Sequence, residues 1–238
     1  MVIRRAIKSG VVRAKRRMAD LSPQEAVRAR RDMDAAIEVV PELATLEQDM
    51  GPLIDRFTAD HDHYCTHVGH PVHAASLELV AFLVALVDRL RPGRVIDLGS
   101  GFTSFALRQQ AAEMGDAGAE IHSVDDSPEW LEKTRGYLQE KGVSTANLHT
   151  WQDLDREALD GSFDLVLHDM GFMDTRLRTL HEAIGLARPG AVVVLDDMHK
   201  PDYRRQALEQ LDARGQHPYS MKLLTRDSLT RYAYLMVR

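Results

Sequence analysis

The sequence predicts an α/β fold: a doubly wound, mostly parallel sheet with helices on both faces, a C-terminal antiparallel hairpin and a helical N-terminal cap. Three observations predict it. From Val72 onward, short near-continuous aliphatic runs such as "RVIDL", "FDLVLHD" and "AVVVLDD" alternate with longer amphipathic runs. That is the pattern of parallel strands covered on both faces by crossover helices. The last two apolar runs, "YSMKLLT" and "RYAYLMVR", are joined by too short a linker for a crossover, so they must pair antiparallel at or near a sheet edge. Residues 1–70 carry helical spacing ahead of this alternation and read as a helical cap or lid, with the main domain over 71–238.

Each element has its own signal. Residues 1–20 are strongly basic, with Ile3, Ile7 and Val11 at helical spacing, and read as a solvated or partner-contacting helix. Ser22, Pro23 and Glu25 supply an N-cap, a first-turn proline and the reciprocal capping-box acid, predicting a helix to about Val39, before Pro41. "VHAASLELVAFLVALVDRL" reads as a buried helix closed by Pro92-Gly93, followed by the central strand "RVIDL". A helix over Ser104 to Met114 and a strand over Glu120 to Val124 come next. Ser127 then caps a helix that opens on Pro128 and stops at Gly142. A strand over Asn147 to Trp151, the strand "FDLVLHD", a helix over Thr175 to Arg188, the strand "AVVVLDD" and a helix over Tyr203 to Arg214 lead into the hairpin.

Composition narrows the function. With 238 residues, 44% hydrophobic, the chain is long enough for one sizeable core and too short for two catalytic domains. A formal net charge of -6 argues against nucleic acid as the main partner and favours a small-molecule acceptor. Cys65 is the only cysteine, which rules out an internal disulfide and a thiolate zinc cage and fits a reducing, cytoplasmic setting. The most apolar stretch, Leu77 to Val87, contains Glu78 and is closed by Asp88, so no membrane span is expected. Arginine supplies most of the positive charge, a bias common in GC-rich bacterial coding. A homodimer is compatible with all of this.

The stretch "VIDLGSGFTS", Val95 to Ser104, carries the first chemistry. An acid, Asp97, ends the aliphatic run, and Gly99 and Gly101 let the backbone turn tightly and approach a ligand. The helix that follows offers free N–H groups to an anion. In a doubly wound sheet this is where ligands bind, outside the carboxyl ends of the strands. Asp125, with Asp126 beside it, ends the second strand, placed to accept from both hydroxyls of a ribose. A dinucleotide site would use the same parts, but its third glycine falls on Ser104. A nicotinamide-dependent oxidoreductase is one alternative from another class, and a non-catalytic protein that binds cofactor or partner only is another.

The full order, acid-x-Gly-x-Gly at the first strand, "SVDDSPEW" at the second, "TWQDL" at the third, "FDLVLHD" at the fourth and the terminal hairpin, resembles the Rossmann-like class I S-adenosylmethionine-dependent methyltransferases over Val72 to Arg238. Within them, the small-molecule O-methyltransferases related to catechol O-methyltransferase look closest. The resemblance implies that Asp97, Gly99, Ser100, Gly101 and Ser104 hold the methionine portion and that Asp125 holds the ribose. It also implies that Trp151, Gln152 and Asp153 border the adenine.

Asp169, Asp196 and Asp197 close the fourth and fifth strands. Three hard oxygen donors converging at one cleft suit Mg²⁺ or another divalent cation, which would lower the acceptor hydroxyl's pKa and orient it. In the catechol-type enzymes the matching positions are acid, acid and amide; here Asp197 fills the amide position. Those enzymes also carry a lysine base after the fourth-strand acid, whereas this chain reads "HDMGFMDTR". His168, His199 and Lys200 are the available substitutes, so a metal-independent enzyme with a histidine base is a further alternative. Arg176 and Arg178, which begin the next helix, read as solvated or ion-paired, with contact to an anionic acceptor as the lesser alternative. "DHDHYCTHVGHPVHAASLE" holds His61, His63, His67, His70 and His73. It matches no zinc spacing and reads as a loop over the active site, with His67 or His70 placed to touch an acceptor.

Overall fold

The computed structural model describes residues 21–238; the basic segment 1–20, read above as a helix, lies outside the described residues. Helix α1, Pro23–Val39, starts with the capping box in place: Glu25 N donates to Ser22 Oγ at 3.3 Å, and Ser22 N donates to Glu25 Oε2 at 3.1 Å. Helix α2, Glu47–His67, and helix α3, Leu77–Leu90, follow. The alternation is then β1 Arg94–Leu98, α4 Phe102–Glu113, β2 Glu120–Asp125, α5 Pro128–Glu140, β3 Leu148–Thr150, β4 Phe163–His168, α6 Met173–Leu186, β5 Ala187–Leu195 and α7 Pro201–Asp212. The chain closes with β6 Tyr219–Ser220, the short helix α8 Lys222–Thr225 and β7 Tyr234–Val237.

The sheet has the order β3-β2-β1-β4-β5-β7-β6. All neighbours from β3 to β5 run parallel, and β7 is antiparallel to both β5 and β6. This is the mostly parallel Rossmann-like sheet with an antiparallel C-terminal hairpin at its edge. The winding reverses between β1 and β4, so the crevice for a ligand opens at the carboxyl ends of those two strands. Asp169 N donates to Leu98 O at 2.7 Å and Asp196 N to His168 O at 3.2 Å, which brings the exits of β1, β4 and β5 to one level.

Side chains alternate across the sheet and define its two cores. Val95, Leu165, Leu167, Val192 and Val194 face α3, and α1 and α2 join the same cluster through Met33, Ala36, Met50 and Ile54. Helix α3 is buried at every position from Leu79 to Val87, the signature of a helix enclosed on all sides. Ile96, Val166, Val193 and Leu195 face the other way, onto Leu180 and Ala183 of α6 and Ala207 and Leu211 of α7.

Several boundaries differ from the sequence reading. Helix α3 begins at Leu77 rather than near Val72, because Ser76 caps it by accepting from Leu79 N at 3.1 Å. Helix α6 ends at Leu186 and Arg188 belongs to β5, since the residue before Pro189 avoids the helical region. The run "YSMKLLT" is strand only at Tyr219–Ser220; Met221, Leu224 and Thr225 are buried at helical spacing and form a turn of helix instead. Asp60 to His67 form the last turns of α2 rather than a loop, because Ile54, Phe57 and Tyr64 continue one buried helical stripe; His70 and His73 lie in the turn that follows, as the loop reading expected.

Candidate functional site

The loop after β1 is built around Asp97, which is fully buried. Strand alternation points it toward α4, whose first turn returns two hydroxyls: Thr103 Oγ1 donates to its Oδ2 at 2.8 Å and Ser104 Oγ at 2.7 Å. Ser104 Oγ in turn accepts from Gly101 N at 3.2 Å. The other oxygen of Asp97, Oδ1, has no partner among the described residues. A buried carboxylate oxygen without a donor is costly, and burial pushes the Asp97 pKa up to about 7 in spite of the two hydroxyls. The site is short of one cationic or N–H donor.

Gly99 sits at φ +115°, and a Cβ there would lie 2.6 Å from the carbonyl carbon of Asp169. Only glycine lets the β1 loop pass the β4 exit this closely. Ser100 turns inward, where its Oγ donates to Asp125 Oδ2 at 3.0 Å, and its carbonyl accepts from Trp130 Nε1 at 2.8 Å. Asp125 also accepts from Ser127 N at 3.0 Å, and burial raises its pKa. Asp126 leans toward the β4 exit, its Oδ2 2.8 Å from where a Gly171 Cβ would stand. Trp151 is tied to the same place, since its N donates to Asp125 O at 2.8 Å. The Arg156 guanidinium stacks 4.7 Å from the Trp151 ring centre. Gln152 and Asp153 are exposed beside it, and Asp153 is held by Thr150 Oγ1 at 2.6 Å. Asp97, the glycine loop, Asp125 and Trp151 therefore follow one another across the exits of β1, β2 and β3, with acids inward and the indole at the end.

The second half of the crevice holds Asp169, Asp196 and Asp197. They do converge, but around a side chain. Arg176, from the first turn of α6 and only 5% exposed, donates from Nη1 to Asp197 Oδ2 at 2.8 Å and from Nη2 to Asp169 O at 2.7 Å, and pairs with the Asp169 carboxylate. Lys200 Nζ lies 2.7 Å from the same Asp197 oxygen. Burial works against Asp197, yet Arg176 and Lys200 hold its pKa below the ordinary carboxylate range. Asp196 has neither contact, and burial pushes its pKa up to about 6. Among the described residues no group of three His, Cys, Asp or Glu side chains is arranged to hold a metal ion. The three acids do not fit the divalent cation expected of them, because a buried guanidinium already bridges two of them. Asp197 adopts φ +61°, a left-handed conformation that aspartate tolerates better than most residues; it turns its carboxylate back onto Arg176.

The two candidate histidines separate. His168 shares the face of Val166, packs onto α6 and has no exposed surface; its Nε2 meets Thr179 Oγ1 at 3.0 Å. Thr179 spends its proton on Thr175 O at 2.9 Å, so His168 must donate from Nε2. Burial and the nearby Arg176 charge lower its pKa to about 3, and it stays neutral inside the α6 core. His199 is different: its side chain is 20% exposed and its Nδ1 lies 3.4 Å from Asp197 Oδ1. Burial lowers its pKa, which keeps it in the proton-accepting form.

Comparisons with known proteins bear on the family and the fold. Residues 91–225 match the family model described as a methyltransferase domain. The chain belongs to that methyltransferase family. A sequence search of curated proteins finds no match. Among solved structures, the methyltransferase domain resembles the S-adenosylhomocysteine-bound methyltransferase PaMTH1 of Podospora anserina, at 14% identity and TM-score 0.57, covering 77% of this chain and 87% of that one. It also resembles the O-methyltransferase TomG of Streptomyces achromogenes, solved with S-adenosylmethionine, at 20% identity and TM-score 0.55, covering 77% and 87%. The O-methyltransferase of Bacillus cereus, solved with S-adenosylhomocysteine, shows 14% identity and TM-score 0.54, covering 79% and 91%. These likenesses concern the fold. No helix among the described residues of the methyltransferase is long and apolar enough to cross a membrane.

The histidine-rich segment sorts by helix face. His61 is inward: its Nε2 lies 2.9 Å from Ala75 O and its ring meets Phe102 edge-on at 5.0 Å. His63 and His67, four apart, stack at 4.4 Å on the outer face. His70 accepts from Val72 N at 3.2 Å in the following turn, and neither it nor His67 approaches Asp97 or Asp169 by any hydrogen bond. Tyr64 is the residue that reaches the site. It is 1% exposed, and its Oη comes within 3.0 Å of where a Gly101 Cβ would stand. Its role was hidden in sequence by the polar residues around it, although its spacing from Phe57 carried the signal.

Proposed function

We propose that this methyltransferase transfers a methyl group from S-adenosylmethionine to a hydroxyl oxygen of a small molecule. The observation that carries the reading is the unpartnered Oδ1 of fully buried Asp97 beside the Gly99–Ser104 turn, a ready seat for an ammonium. Asp97 would accept from that ammonium and the backbone N–H groups at the start of α4 would face the carboxylate. Asp125 would accept from the ribose hydroxyls and Trp151, with Gln152 and Asp153, would border the adenine. When bound, the sulfonium supplies an activated methyl carbon, whose bond to sulfur breaks as the bond to the acceptor oxygen forms.

The chain's own residues then have to hold the acceptor oxygen in line and take its proton. His199 supports the second role, being the partly open, neutral histidine beside the acid cluster. Its Nε2 would receive the proton while Asp197, next to Nδ1, stabilises the resulting cation. His168 supports the helix packing beneath. Residues ahead of α3 and the ring of Phe172, exposed at the entry of α6, would set acceptor preference.

Two measurements test this. S-adenosylhomocysteine should raise the melting temperature of the full chain and NAD should not; protection by NAD alone would favour the oxidoreductase reading. Against a pool of phenols, sugars and vicinal diols, His199→Gln should slow turnover by on the order of 100-fold, the usual size of general-base catalysis. Calorimetric binding of S-adenosylhomocysteine should not change in that variant, and unchanged turnover would remove His199 from the mechanism.

A further inference from the structure

We propose that Arg176 occupies the cation position of this site, so that the positive charge facing the acceptor is built into the chain and no divalent metal binds there. The inference deepens the methyl-transfer reading and rests on it for its functional meaning, but its chemistry stands on the acid cluster alone.

Three features argue for it. The guanidinium lies inside the acid set rather than on its rim: it contacts Asp169 and Asp197, from two different strand exits, and is 5% exposed. Divalent ions of the magnesium type need several oxygens free to point at one centre. Here Asp197 Oδ2 is taken by Arg176 at 2.8 Å and by Lys200 at 2.7 Å, and Asp169 accepts from Arg176 through its carboxylate and its carbonyl. The arginine's donor capacity is not used up, since its buried Nε–H has no partner among the described residues. A planar guanidinium held by two acids can still present N–H groups to a further oxygen, which a saturated ion pair could not.

The charge arithmetic agrees. Arg176 and Lys200 bring two fixed positive charges into contact with Asp169 and Asp197. Adding a doubly charged ion would require expelling a buried arginine and leaving it unpaired, which costs more than an exposed salt bridge returns. A lysine base after the fourth-strand acid is absent from "HDMGFMDTR", so the chain departs from the catechol-type arrangement at the metal and at the base together. An acceptor for such a site needs one oxygen able to take an N–H bond, and does not need the vicinal pair that chelation demands.

The experiment is a Mn²⁺ titration of the full-length protein followed by electron paramagnetic resonance, with and without S-adenosylhomocysteine, on the parent, Arg176→Ala and Arg176→Lys. The parent and Arg176→Lys should leave the free Mn²⁺ signal undiminished. Arg176→Ala, by uncovering the acids, should gain a bound ion that Mg²⁺ displaces, and this gain is lost in Arg176→Ala/Asp169→Asn. Saturable Mn²⁺ binding by the parent that Asp169→Asn removes would overturn the proposal. If Arg176→Ala does not fold, judged by circular dichroism, the parent and Arg176→Lys titrations decide the matter by themselves. Calorimetry of S-adenosylhomocysteine on the same samples keeps the two claims apart: failure to bind it would sink the methyl-transfer reading while the Mn²⁺ result still judges Arg176.

Discussion

Asp97→Asn is expected to weaken S-adenosylhomocysteine binding by about 100-fold, the loss that follows from removing one charge-assisted hydrogen bond in a buried site. Asparagine keeps the shape and one acceptor for Thr103 and Ser104, so the fold should survive and calorimetry can read the loss directly. The same residue sets a pH dependence. Its pKa stands near 7 in the free protein because burial outweighs the donors around it. An ammonium is bound by the carboxylate form, so affinity should fall by about tenfold per pH unit as pH drops below that value. Asp97→Asn should flatten the profile. The stability of the free protein moves with the opposite sign. A carboxyl group whose folded pKa is raised is better accommodated protonated, so this contribution is present in acid. It is lost as pH rises from the ordinary carboxylate range to about 7. Ligand-induced protection against heat should therefore be larger at pH 8 than at pH 6. Equal protection at both would show that Asp97 does not meet the cation.

Gly99→Ala is expected to damage both the fold and the site. The new Cβ would come within 2.6 Å of the Asp169 carbonyl carbon and 2.9 Å of Met170 N, backbone atoms that cannot swing aside, at a φ of +115° that side chains rarely adopt. The strain alone amounts to about 3 kcal/mol, and for a chain of this size that lowers the melting temperature by roughly 10 °C. Binding of S-adenosylhomocysteine should fall with it, because the loop and the β4 exit move together. Gly190→Ala, with a positive φ of +81° but no atom of the described residues crowding the new Cβ within 4 Å, is the control: it should cost stability without touching ligand binding. Equal melting temperatures for Gly99→Ala and the parent would refute the close approach.

How much of this was legible in the sequence differs from element to element, for physical reasons. The sheet was readable because a strand buried on both faces must be aliphatic along its whole length, and Val192 to Leu195 and Leu165 to Leu167 are. Asp97 and Asp125 stood out because an acid at the end of such a run has no structural reason to be there unless something pairs with it. Arg176 was legible as an arginine either solvated or ion-paired, and it is ion-paired; its partners were not legible, because only the crossing of α6 over two strand exits brings it between Asp169 and Asp197. His168 fails for a simpler reason that was available: a period of two places it with Val166, under α6, whereas Asp169 turns the other way. The last turns of α2 were hidden by composition, since histidines and aspartates on its outer face outnumber the inner stripe of Ile54, Phe57 and Tyr64.

Tyr64 leaves one consequence to draw. Residues 91–225 are what this chain has in common with its family, yet the phenol that overlies Gly101 comes from outside that stretch, carried by a helix that also packs against Phe102 and Tyr137. The glycine turn inside the family stretch and the helix outside it are thus joined at one ring. A lineage that remodels its front segment must preserve that ring's seat or rebuild the β1 turn at the same time, so changes here should come as coordinated replacements of α2 and the β1 turn rather than as exchanges of an interchangeable lid.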